Sequence, residues 1–537
     1  MTRQPNMASR RQRQSVWSVP MSEILGLPRE ALDRARRSRD ARFDGKFFIA
    51  VLSTGIYCRP ICPVRLFSSP VRYYASAAEA ADAGFRPCLR CRPEAAPGSP
   101  AWTGTSAVVR RALRLIQEGA LDKGSVEDLA TRVGVGPRHL NRLLVEHVGA
   151  SSVSIAQTRR LHFAKRLLDE TDLPVTEIAL AAGYGSVRRF NGALKATYNR
   201  SPRDLRKRRA RSGDATDEIT LRMAYRPPYD WSYVLSFLSR RAVPGIERVD
   251  ASGYTRTVRT SIGHALIKIS RCEDAQALQM QVRGAPPADL FELSSIARRV
   301  FDLAADPVQI ADAFRTDPLL GPLVTRRPGL RIPGSWEPFE CAVRAILGEQ
   351  VTPEAARILA GRLVARAGRL IEPAPDGLSH LFPSPFELAE AELTELSLSA
   401  EQSSALRAFT RAVVNGVVRF GDPVEEVTRT LAKIPGVGSW SAQYVSLRAY
   451  AEPDAFPTED LVLRRQAGVK GPPLTARALE ARAEAWRPWR GYAAFLLWSG
   501  VPACASHTAR TVVAPISQRR VSVGPVSSGR AKSQAPS

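Results

Sequence analysis

The sequence predicts a multidomain, predominantly α-helical protein. The chain has 537 residues, too many for one hydrophobic core, and this length suggests about three to five domains. Apolar residues recur with helical spacing over 106–208 and again over 336–503, whereas short β-like runs occur in 21–92 and 217–320. Four of the seven cysteines lie within a stretch of 34 residues, which indicates a small domain organised around them.

Joints rich in proline, glycine or arginine divide the chain at 93–104, 206–216 and 322–333. We predict a disordered N-terminus at 1–20, a small α+β domain at 21–95, two helix-turn-helix units at 106–208, an α+β subdomain at 217–325, an all-α domain at 326–503 and a disordered basic tail at 505–537. Met21 is a candidate for the true start. The β-like runs of the α+β subdomain are 221–225, 255–262 and 265–269.

The net charge of +25 is unevenly distributed. Residues 1–212 carry +20, residues 213–504 carry 0 and residues 505–537 carry +5. A basic front half beside a neutral back half predicts a polyanionic partner for the front half. No apolar run has the length of a membrane span, and the N-terminus lacks the apolar core of a signal peptide. We therefore expect a cytoplasmic, nucleoid-associated protein with no membrane partner.

The clustered cysteines have the spacing of a metal site. Three residues separate Cys58 from Cys62, and after a gap of 25 residues two residues separate Cys88 from Cys91. Two close pairs on separate turns can present four sulfurs to one tetrahedral ion, so we predict one Zn²⁺ per chain held by these four cysteines. From spacing alone, the commonest role of such a closed site is structural.

The surroundings of the cysteines indicate a further role. Residues 41–62 (ARFDGKFFIAVLSTGIYCRPIC) and 83–94 (AGFRPCLRCRPE) strongly resemble the N-terminal methyl-acceptor domain of the Ada family. The resemblance implies that Cys58 takes a methyl group from a DNA methylphosphotriester, and that Thr54, Arg65 and Arg86 contact the DNA backbone. Four thiolates around a dication carry a net charge of about −2. Methylation of Cys58 would remove one negative charge and act as a switch for binding to phosphates.

Two helix-turn-helix units follow. In the first, a helix over 126–133 ends at Gly134 and Pro137 begins a second helix. The second unit covers 175–198. The outward positions of the second helices, where base or phosphate contacts are expected, are Arg138, Asn141, Arg142, Ser186, Arg188, Arg189 and Asn191. The whole of 106–208 resembles the DNA-binding domain of AraC-type regulators, which implies promoter DNA and RNA polymerase as partners.

A short turn, IPGVG at 434–438, separates two amphipathic helices in the back half. Gly436 and Gly438 permit a tight turn whose backbone N–H groups can face a phosphate. Asp460 follows 22 residues after Gly438. This order resembles the helix-hairpin-helix and Gly/Pro-Asp pattern of DNA glycosylases. The resemblance implies that Asp460 is catalytic, with Glu459 as its outward neighbour.

Residues 217–503 resemble more closely the AlkA family of alkyl-base DNA glycosylases. The resemblance rests on YRPPYDWSYVLSFLSRRAVPGIE (225–247), RPGLRIPGSWEPFECAVRAILGEQVT (327–352) and WRPWRGYAAFLLW (486–498). It implies an aromatic base pocket formed by Trp440, Tyr444, Trp498 and Phe237. Such a pocket suits 3-methyladenine and 7-methylguanine, because aromatic faces attract cations and the base must leave the stack. Asp460 would stabilise oxocarbenium-like charge and guide or deprotonate the attacking water.

The sequence departs from related patterns at two positions. Trp440 stands two residues after the last hairpin glycine, where strand-cutting glycosylases carry a lysine, so we predict hydrolysis without strand cleavage. Gln350 stands where the AlkA family inserts an apolar side chain into the gap left by the flipped base. The cysteine motif for O6-methylguanine repair is absent from the sequence, so we expect no transfer from that lesion.

These features predict a fusion of an Ada-type methyl acceptor and an AraC-type regulator with an AlkA-type monofunctional glycosylase. Two alternatives remain open. In the first, the chain is a damage-sensing transcription regulator whose back half is only a DNA clamp. In the second, the cysteine site is structural and the chain is a DNA-tethered glycosylase. Asp460 with its aromatic positions opposes the first alternative, and the residues around Cys62 and Cys88 oppose the second.

Overall fold

The computed structural model describes residues 26–64, 70–97, 107–206, 218–349, 351–372, 377–468 and 471–500. The predicted disordered termini, the candidate start at Met21, and the predicted contacts of Arg65 and Gln350 lie outside these residues. We refer to four units: the cysteine domain (26–97), the helix-turn-helix domain (107–206), the sheet domain (218–326) and the hairpin domain (338–500).

The cysteine domain is a four-stranded sheet with two helices. Its elements are α1 (Arg29–Ser38), β1 (Phe48–Val51), β2 (Ile56–Cys58), β3 (Val71–Tyr74), α2 (Ala77–Asp82) and β4 (Arg86–Pro87). The sheet order is β3-β1-β2-β4, and β4 joins β2 in parallel while the other pairs are antiparallel. The two-residue β4 is the element that brings the second cysteine pair beside the first.

The helix-turn-helix domain is entirely helical in its described residues. Its elements are α3 (Ala107–Gln117), α4 (Ala120–Lys123), α5 (Val126–Arg132), α6 (Pro137–Val148), α7 (Ser152–Glu170), α8 (Val175–Ala181), α9 (Val187–Tyr198) and α10 (Pro202–Leu205). Ser125 and Asp128 form a capping box at the start of α5, and Pro137 occupies the first turn of α6. The predicted helix over 126–133, the start of the next helix at Pro137 and the second unit over 175–198 agree with these helices to within a residue or two.

The sheet domain contains an antiparallel sheet in the order β5-β9-β8-β7-β6. Its elements are β5 (Glu218–Ala224), α11 (Trp231–Ser239), β6 (Glu247–Asp250), β7 (Gly253–Thr260), β8 (Gly263–Arg271), β9 (Ala277–Arg283), α12 (Leu290–Val300), α13 (Pro307–Phe314) and α14 (Leu320–Arg326). The three predicted strands are confirmed as β5, β7 and β8, and the structure adds β6 and β9. In β9 the buried residues Leu278, Met280 and Val282 alternate with Gln279 and Gln281, which is the period of a strand with one buried face.

The hairpin domain is mostly helical. Its elements are α15 (Pro338–Leu347), α16 (Pro353–Ala367), β10 (Arg369–Leu370), β11 (His380–Leu381), α17 (Pro385–Glu390), α18 (Ala400–Val414), α19 (Val424–Leu431), α20 (Ser439–Ala449), α21 (Leu461–Ala467), α22 (Ala476–Ala483) and α23 (Arg490–Ser499). Helices α15, α18, α19 and α20 share one core, whereas α21 to α23 pack into the core of the sheet domain. The space between these two cores becomes the cavity described below.

None of the helices in the described residues is long and apolar enough to cross a bilayer.

Candidate functional site

The four clustered cysteines converge. Tyr57 in β2 is paired with Pro87 at the end of β4, and the Cys88 amide donates to the Tyr57 carbonyl at 3.0 Å. Cys58 and Cys88 therefore leave adjacent strand ends, and all four sulfurs lie within 4.8 Å of one another in a buried cluster. Four mutually close, buried cysteine sulfurs are the donor set of a tetrahedral Zn²⁺ site. The residues fit the predicted ion: Cys58, Cys62, Cys88 and Cys91 hold one Zn²⁺ per chain.

One hydrogen bond from a backbone N–H of the described residues reaches the cluster: the Arg59 amide donates to the Cys91 sulfur at 3.3 Å. A hydrogen bond to a thiolate withdraws charge from it, so this contact makes the Cys91 sulfur a poorer nucleophile.

Arg59 secures the loop that follows Cys58. Its guanidinium forms a buried ion pair with Asp44 and donates to the Cys91 carbonyl at 3.0 Å. Thr54 and Arg86, two of the predicted phosphate contacts, are exposed on the neighbouring turn and on β4. The Arg86 amide donates to the Gly55 carbonyl at 2.8 Å, so both residues lie on one rim of the cysteine domain.

Most of the predicted contacts of the helix-turn-helix domain are exposed. These residues are Arg138, Arg142, Arg188, Arg189 and Asn191. Two others also have structural roles. The Asn141 amide oxygen accepts hydrogen bonds from the Ser152 amide and hydroxyl at 3.2 and 2.8 Å, which ties α6 to the start of α7. The Ser186 hydroxyl accepts from the Arg189 amide and caps α9.

The predicted hairpin joins α19 to α20 through 432–438. Gly436 has a φ of +80°, and a β-carbon there would lie 2.4 Å from the Ala405 β-carbon, so only glycine fits. Gly438 is exposed, with open space around it, at the N-terminus of α20. The hairpin thus presents uncovered backbone at a helix N-terminus, where an anion can approach.

Asp460 caps α21 and is only 5% exposed. Its Oδ1 accepts from the Leu463 amide at 2.9 Å and from the Trp498 indole Nε1 at 3.2 Å. Its Oδ2 accepts from the Trp440 indole Nε1 at 2.9 Å. Three N–H donors therefore fix both carboxylate oxygens. Glu459, by contrast, is exposed. The sequence indicated Trp440 and Trp498 as stacking surfaces and gave no sign that they also orient the carboxylate.

Asp460 lies on the wall of a cavity of about 640 Å³ between the sheet domain and the hairpin domain. The lining includes all four predicted aromatic residues: Phe237, Trp440, Tyr444 and Trp498. Trp440 stacks on Tyr444 with 5.0 Å between ring centroids and 12° between planes, and Trp498 meets Tyr444 at 64°. The cavity has the size and the aromatic lining of a pocket for a planar molecule.

The arginines that line this cavity were not predicted, and two of them lie against its predicted aromatic rings. The Arg241 guanidinium lies 3.9 Å from the Phe237 ring centroid, and Arg448 lies 4.9 Å from Phe237 and 5.3 Å from Tyr444. Arg448 also donates to the Tyr444 hydroxyl at 2.7 Å. Burial acts to raise the pKa of Tyr444, but the nearby Arg448 and Arg241 outweigh it and hold that pKa below its ordinary value. Burial lowers the pKa of Arg241. These arginines thus place positive charge at the cavity, which the predicted aromatic lining did not indicate.

Together, the thiolate cluster, the paired helix-turn-helix units, the hairpin and the aromatic cavity with its fixed carboxylate define a class of fused DNA-repair and regulatory proteins. Three family models match the chain: the metal binding domain of Ada over 31–94, a helix-turn-helix domain over 129–208 and the AlkA N-terminal domain over 220–337. The order of these matches agrees with the order of the sites in the fold.

The chain is 40% identical over 473 residues to the "Probable bifunctional transcriptional activator/DNA repair enzyme AlkA" of Mycobacterium tuberculosis, covering 87% of this chain and 95% of that relative. It belongs to the family of bifunctional transcriptional activator/DNA repair enzymes of the AlkA type. It is 32% identical to "DNA-3-methyladenine glycosylase 2" of Escherichia coli over 51% of this chain and 95% of that relative. It is 36% identical to the "Bifunctional transcriptional activator/DNA repair enzyme Ada" of Escherichia coli over 27% of this chain and 40% of that relative.

Proposed function

We propose that this chain repairs alkylated DNA by two reactions and uses one of them to control transcription. The hairpin domain hydrolyses the N-glycosidic bond of alkylated bases, and the cysteine domain accepts methyl groups from DNA methylphosphotriesters. The names and coverage of the relatives support this combination. The observation that carries the proposal is the buried carboxylate of Asp460, fixed by two indole N–H groups on the wall of an aromatic cavity.

Base release follows from that arrangement. An alkylated purine that has left the duplex stack enters the cavity and stacks on Trp440 and Tyr444. The C1′–N bond breaks, and its electron pair leaves with the base. The Asp460 carboxylate stabilises the positive charge that develops on the sugar. A water oxygen then bonds to C1′, and the proton that it loses passes to Asp460 and on to solvent, which restores the site. Because Trp440 replaces the lysine of strand-cutting glycosylases, no Schiff base forms and the strand stays intact.

Methyl transfer uses Cys58. When bound, Zn²⁺ keeps the four sulfurs deprotonated at neutral pH. The Cys58 sulfur attacks the methyl carbon of a methylphosphotriester, an S–C bond forms and the O–C bond breaks. The electron pair stays on the phosphate oxygen, which regains its negative charge. Thr54 and Arg86 are on the exposed rim beside the cluster and suit contacts with neighbouring phosphates. The thioether is stable, so each chain performs this reaction once.

The helix-turn-helix domain binds double-stranded promoter DNA through the exposed residues of α6 and α9. We place the methylated chain at promoters in the nucleoid, within the cytoplasm, where it contacts RNA polymerase as an activator. Loss of one negative charge at the cysteine cluster strengthens its approach to phosphates, so accumulated damage raises promoter occupancy.

One experiment tests both reactions. Purified chain is incubated with methylated duplex DNA, and free bases, strand breaks and protein-bound methyl groups are measured separately. We expect release of 3-methyladenine and 7-methylguanine without strand breaks, and one methyl group that maps to Cys58. Methyl transfer without base release would make the hairpin domain a DNA clamp. Base release with no methyl on any of the four cysteines would leave a structural zinc site.

A further inference from the structure

The helix-turn-helix domain docks on the hairpin domain through one helix. Arg110 and Arg111 of α3 form ion pairs with Glu452, and Arg111 also pairs with Glu425. The Arg114 guanidinium lies 5.7 Å from the Tyr450 ring centroid. The side chains of Arg110, Arg111 and Glu452 are each no more than 12% exposed, so this interface is largely shielded from water. Such shielded pairs are screened by salt much less than surface pairs.

Further contacts join the helix-turn-helix domain to the sheet domain. At the end of α3, Ser295 donates to the Gln117 carbonyl at 2.9 Å. On α7, Phe163 meets Phe291 edge-to-face at 4.9 Å, and the Arg159 guanidinium lies 3.9 Å from the same ring. One buried hydrophobic cluster runs from α7 into the sheet. Ionic contacts at one end and a shared apolar core at the other hold the helix-turn-helix domain in a fixed position.

The docking position is remote from the part of the hairpin that faces DNA. Glu425 is at the start of α19 and Glu452 follows the end of α20, whereas the turn at 432–438 joins the opposite ends of these helices. With a rise of 1.5 Å per residue, these helices separate the two ends by about 12 to 16 Å. The hairpin therefore has the helix-turn-helix domain at one end and its DNA-facing turn at the other.

Both DNA-binding faces stay open while the domains are docked. Arg138, Arg142, Arg188 and Arg189 are exposed, as are the hairpin residues Lys433, Gly436 and Gly438. The two faces belong to different domains, and the ion pairs of α3 lie at the ends of α19 and α20 opposite the turn. Each face is therefore accessible to its own duplex segment.

We propose that one chain binds two separate duplex segments at once, one on α6 and α9 and one on the hairpin and its cavity, and thereby bridges DNA. This inference rests on the proposed function, because it uses the DNA-binding faces assigned there. The charge distribution suits it. The front half carries +20 and anchors the chain, while the neutral back half binds DNA weakly by itself. Anchoring raises the local concentration of nearby DNA around the cavity.

The test is a co-capture assay with the full chain. A biotinylated lesion-free duplex of 25 base pairs is immobilised, and a fluorescent duplex of the same length with a stable abasic-site analogue is added. At saturation we expect two duplexes per chain and capture of the fluorescent duplex through the protein. The double variant Arg188→Glu, Arg189→Glu and the double variant Lys433→Glu, Gly438→Asp should each lose co-capture by about tenfold or more, since like charge repels phosphate.

A matched control for the Arg188→Glu, Arg189→Glu variant carries the same charge change elsewhere: Arg315→Glu with Arg369→Glu, two exposed positions outside both faces. This control should co-capture like the wild type. A mixture of the two inactive double variants separates bridging by one chain from bridging by a dimer. We expect no co-capture from the mixture. Restored co-capture would assign bridging to a dimer and overturn the proposal.

Saturation at one duplex per chain, with no co-capture by the wild type, would also overturn the proposal. Base release is measured on the same wild-type preparation. If that preparation releases base but binds one duplex, only the bridging inference fails. If it releases no base from methylated DNA, the proposed glycosylase function fails as well.

Discussion

The cysteine cluster and the Asp460 cavity both bury negative charge, but they stabilise it in different ways. In the cluster, four sulfurs lie within 4.8 Å of one another, so the charge requires a dication at its centre. Asp460 is a single carboxylate held by three N–H donors, and in the described part of the chain no basic side chain is among its hydrogen-bond partners. The cluster fills its space with its own ligands, whereas Asp460 faces a cavity of about 640 Å³.

Under the proposed function, this difference accounts for the number of turnovers at each site. The cluster supplies its own nucleophile, so Cys58 would attack a group on the DNA surface and keep the methyl. The cavity would take in the lesion and use water as the nucleophile, so Asp460 would return to its starting state. The cysteine cluster, which reacts once, is suited to signalling how much damage has occurred. The Asp460 cavity, which is restored after each reaction, is suited to removing damage repeatedly.

Among the changes considered, removal of the metal should have the largest effect on activity, and that effect should be confined to methyl acceptance by the cysteine domain. Cys88→Ala takes away one of four ligands, and the free energy of a structural zinc site is about 10 kcal/mol or more. We expect purified Cys88→Ala to lose its zinc, measured by metal analysis, and to lose methyl acceptance. Base release should continue, because the cavity has its own core.

The matched control for this variant is Cys272→Ala. Cys272 is also buried but lies in the sheet domain, away from the cluster. It should retain one zinc per chain. Unchanged zinc in Cys88→Ala would contradict the ligand assignment, and loss of base release in that variant would contradict the independence of the two sites.

Asp460→Asn should affect only the cavity. Asparagine is also a good helix cap, so α21 should persist, but an amide cannot accept a proton from water or offset cationic charge. We expect the rate of base release to fall by about a hundredfold or more, measured with duplexes containing 3-methyladenine. DNA binding and methyl transfer to Cys58 should remain.

Glu459→Gln is the control for Asp460→Asn, because Glu459 is the exposed neighbouring carboxylate. It should retain the wild-type rate. Near wild-type excision by Asp460→Asn would refute the catalytic assignment and make Glu459 the next candidate.

The parts of both sites that are local in sequence were predictable. The cysteine spacing predicted the cluster because each pair is on one turn, and the glycines of 434–438 predicted the hairpin because a tight turn needs them. The helix-turn-helix boundaries followed from Gly134 and Pro137. Strand β9 was missed, although its alternating buried residues carry the period of a strand.

The contacts between distant elements were not predictable. The indoles that hold Asp460 are 20 and 38 residues away in sequence, and the Tyr57–His162 contact joins residues 105 apart. Such pairings depend on how helices pack, and residue spacing along one helix does not contain that information. The position of Arg448 against Phe237 was missed for the same reason: it joins α20 of the hairpin domain to α11 of the sheet domain.

Lowering the pH should change the free energy of unfolding in opposite directions through His162 in the front half and Asp302 in the back half. His162 forms a 3.0 Å hydrogen bond with Tyr57 at the interface of the cysteine and helix-turn-helix domains, and burial lowers its pKa to about 4. Asp302 accepts from Tyr492 at 2.8 Å between the sheet and hairpin domains, and burial raises its pKa to about 6. Below pH 6.5 the unfolded chain protonates His162 first, which destabilises the fold. Below pH 6 the folded chain protonates Asp302 first, which stabilises it.

At pH 5 these linkages correspond to about 2 kcal/mol lost through His162 and about 1 kcal/mol gained through Asp302. Urea unfolding at pH 5 and pH 7 measures both. Relative to the wild type, His162→Gln should lose less stability on acidification, and Asp302→Asn should lose more. If the change in unfolding free energy between pH 7 and pH 5 differs from that of the wild type in the same direction for both variants, then His162 and Asp302 do not have opposite effects on stability in acid.

Methylation of Cys58 should have the smallest effect, and it tests the cysteine cluster as a switch. Conversion of one thiolate to a neutral thioether removes one negative charge near the exposed rim that carries Thr54 and Arg86. A partly screened contact of this kind is worth roughly 1 kcal/mol, so promoter binding should tighten by a few-fold. The measurement compares the dissociation constant of promoter DNA for the chain before and after reaction with methylphosphotriester DNA, with intact mass as the check on stoichiometry. Added salt should reduce the gain, because it screens the same charge.

The control is Cys58→Ser, which takes up no methyl and should bind the promoter equally before and after the same treatment. Equal promoter affinity of the methylated and unmethylated wild type would leave Cys58 as a methyl acceptor with no regulatory role.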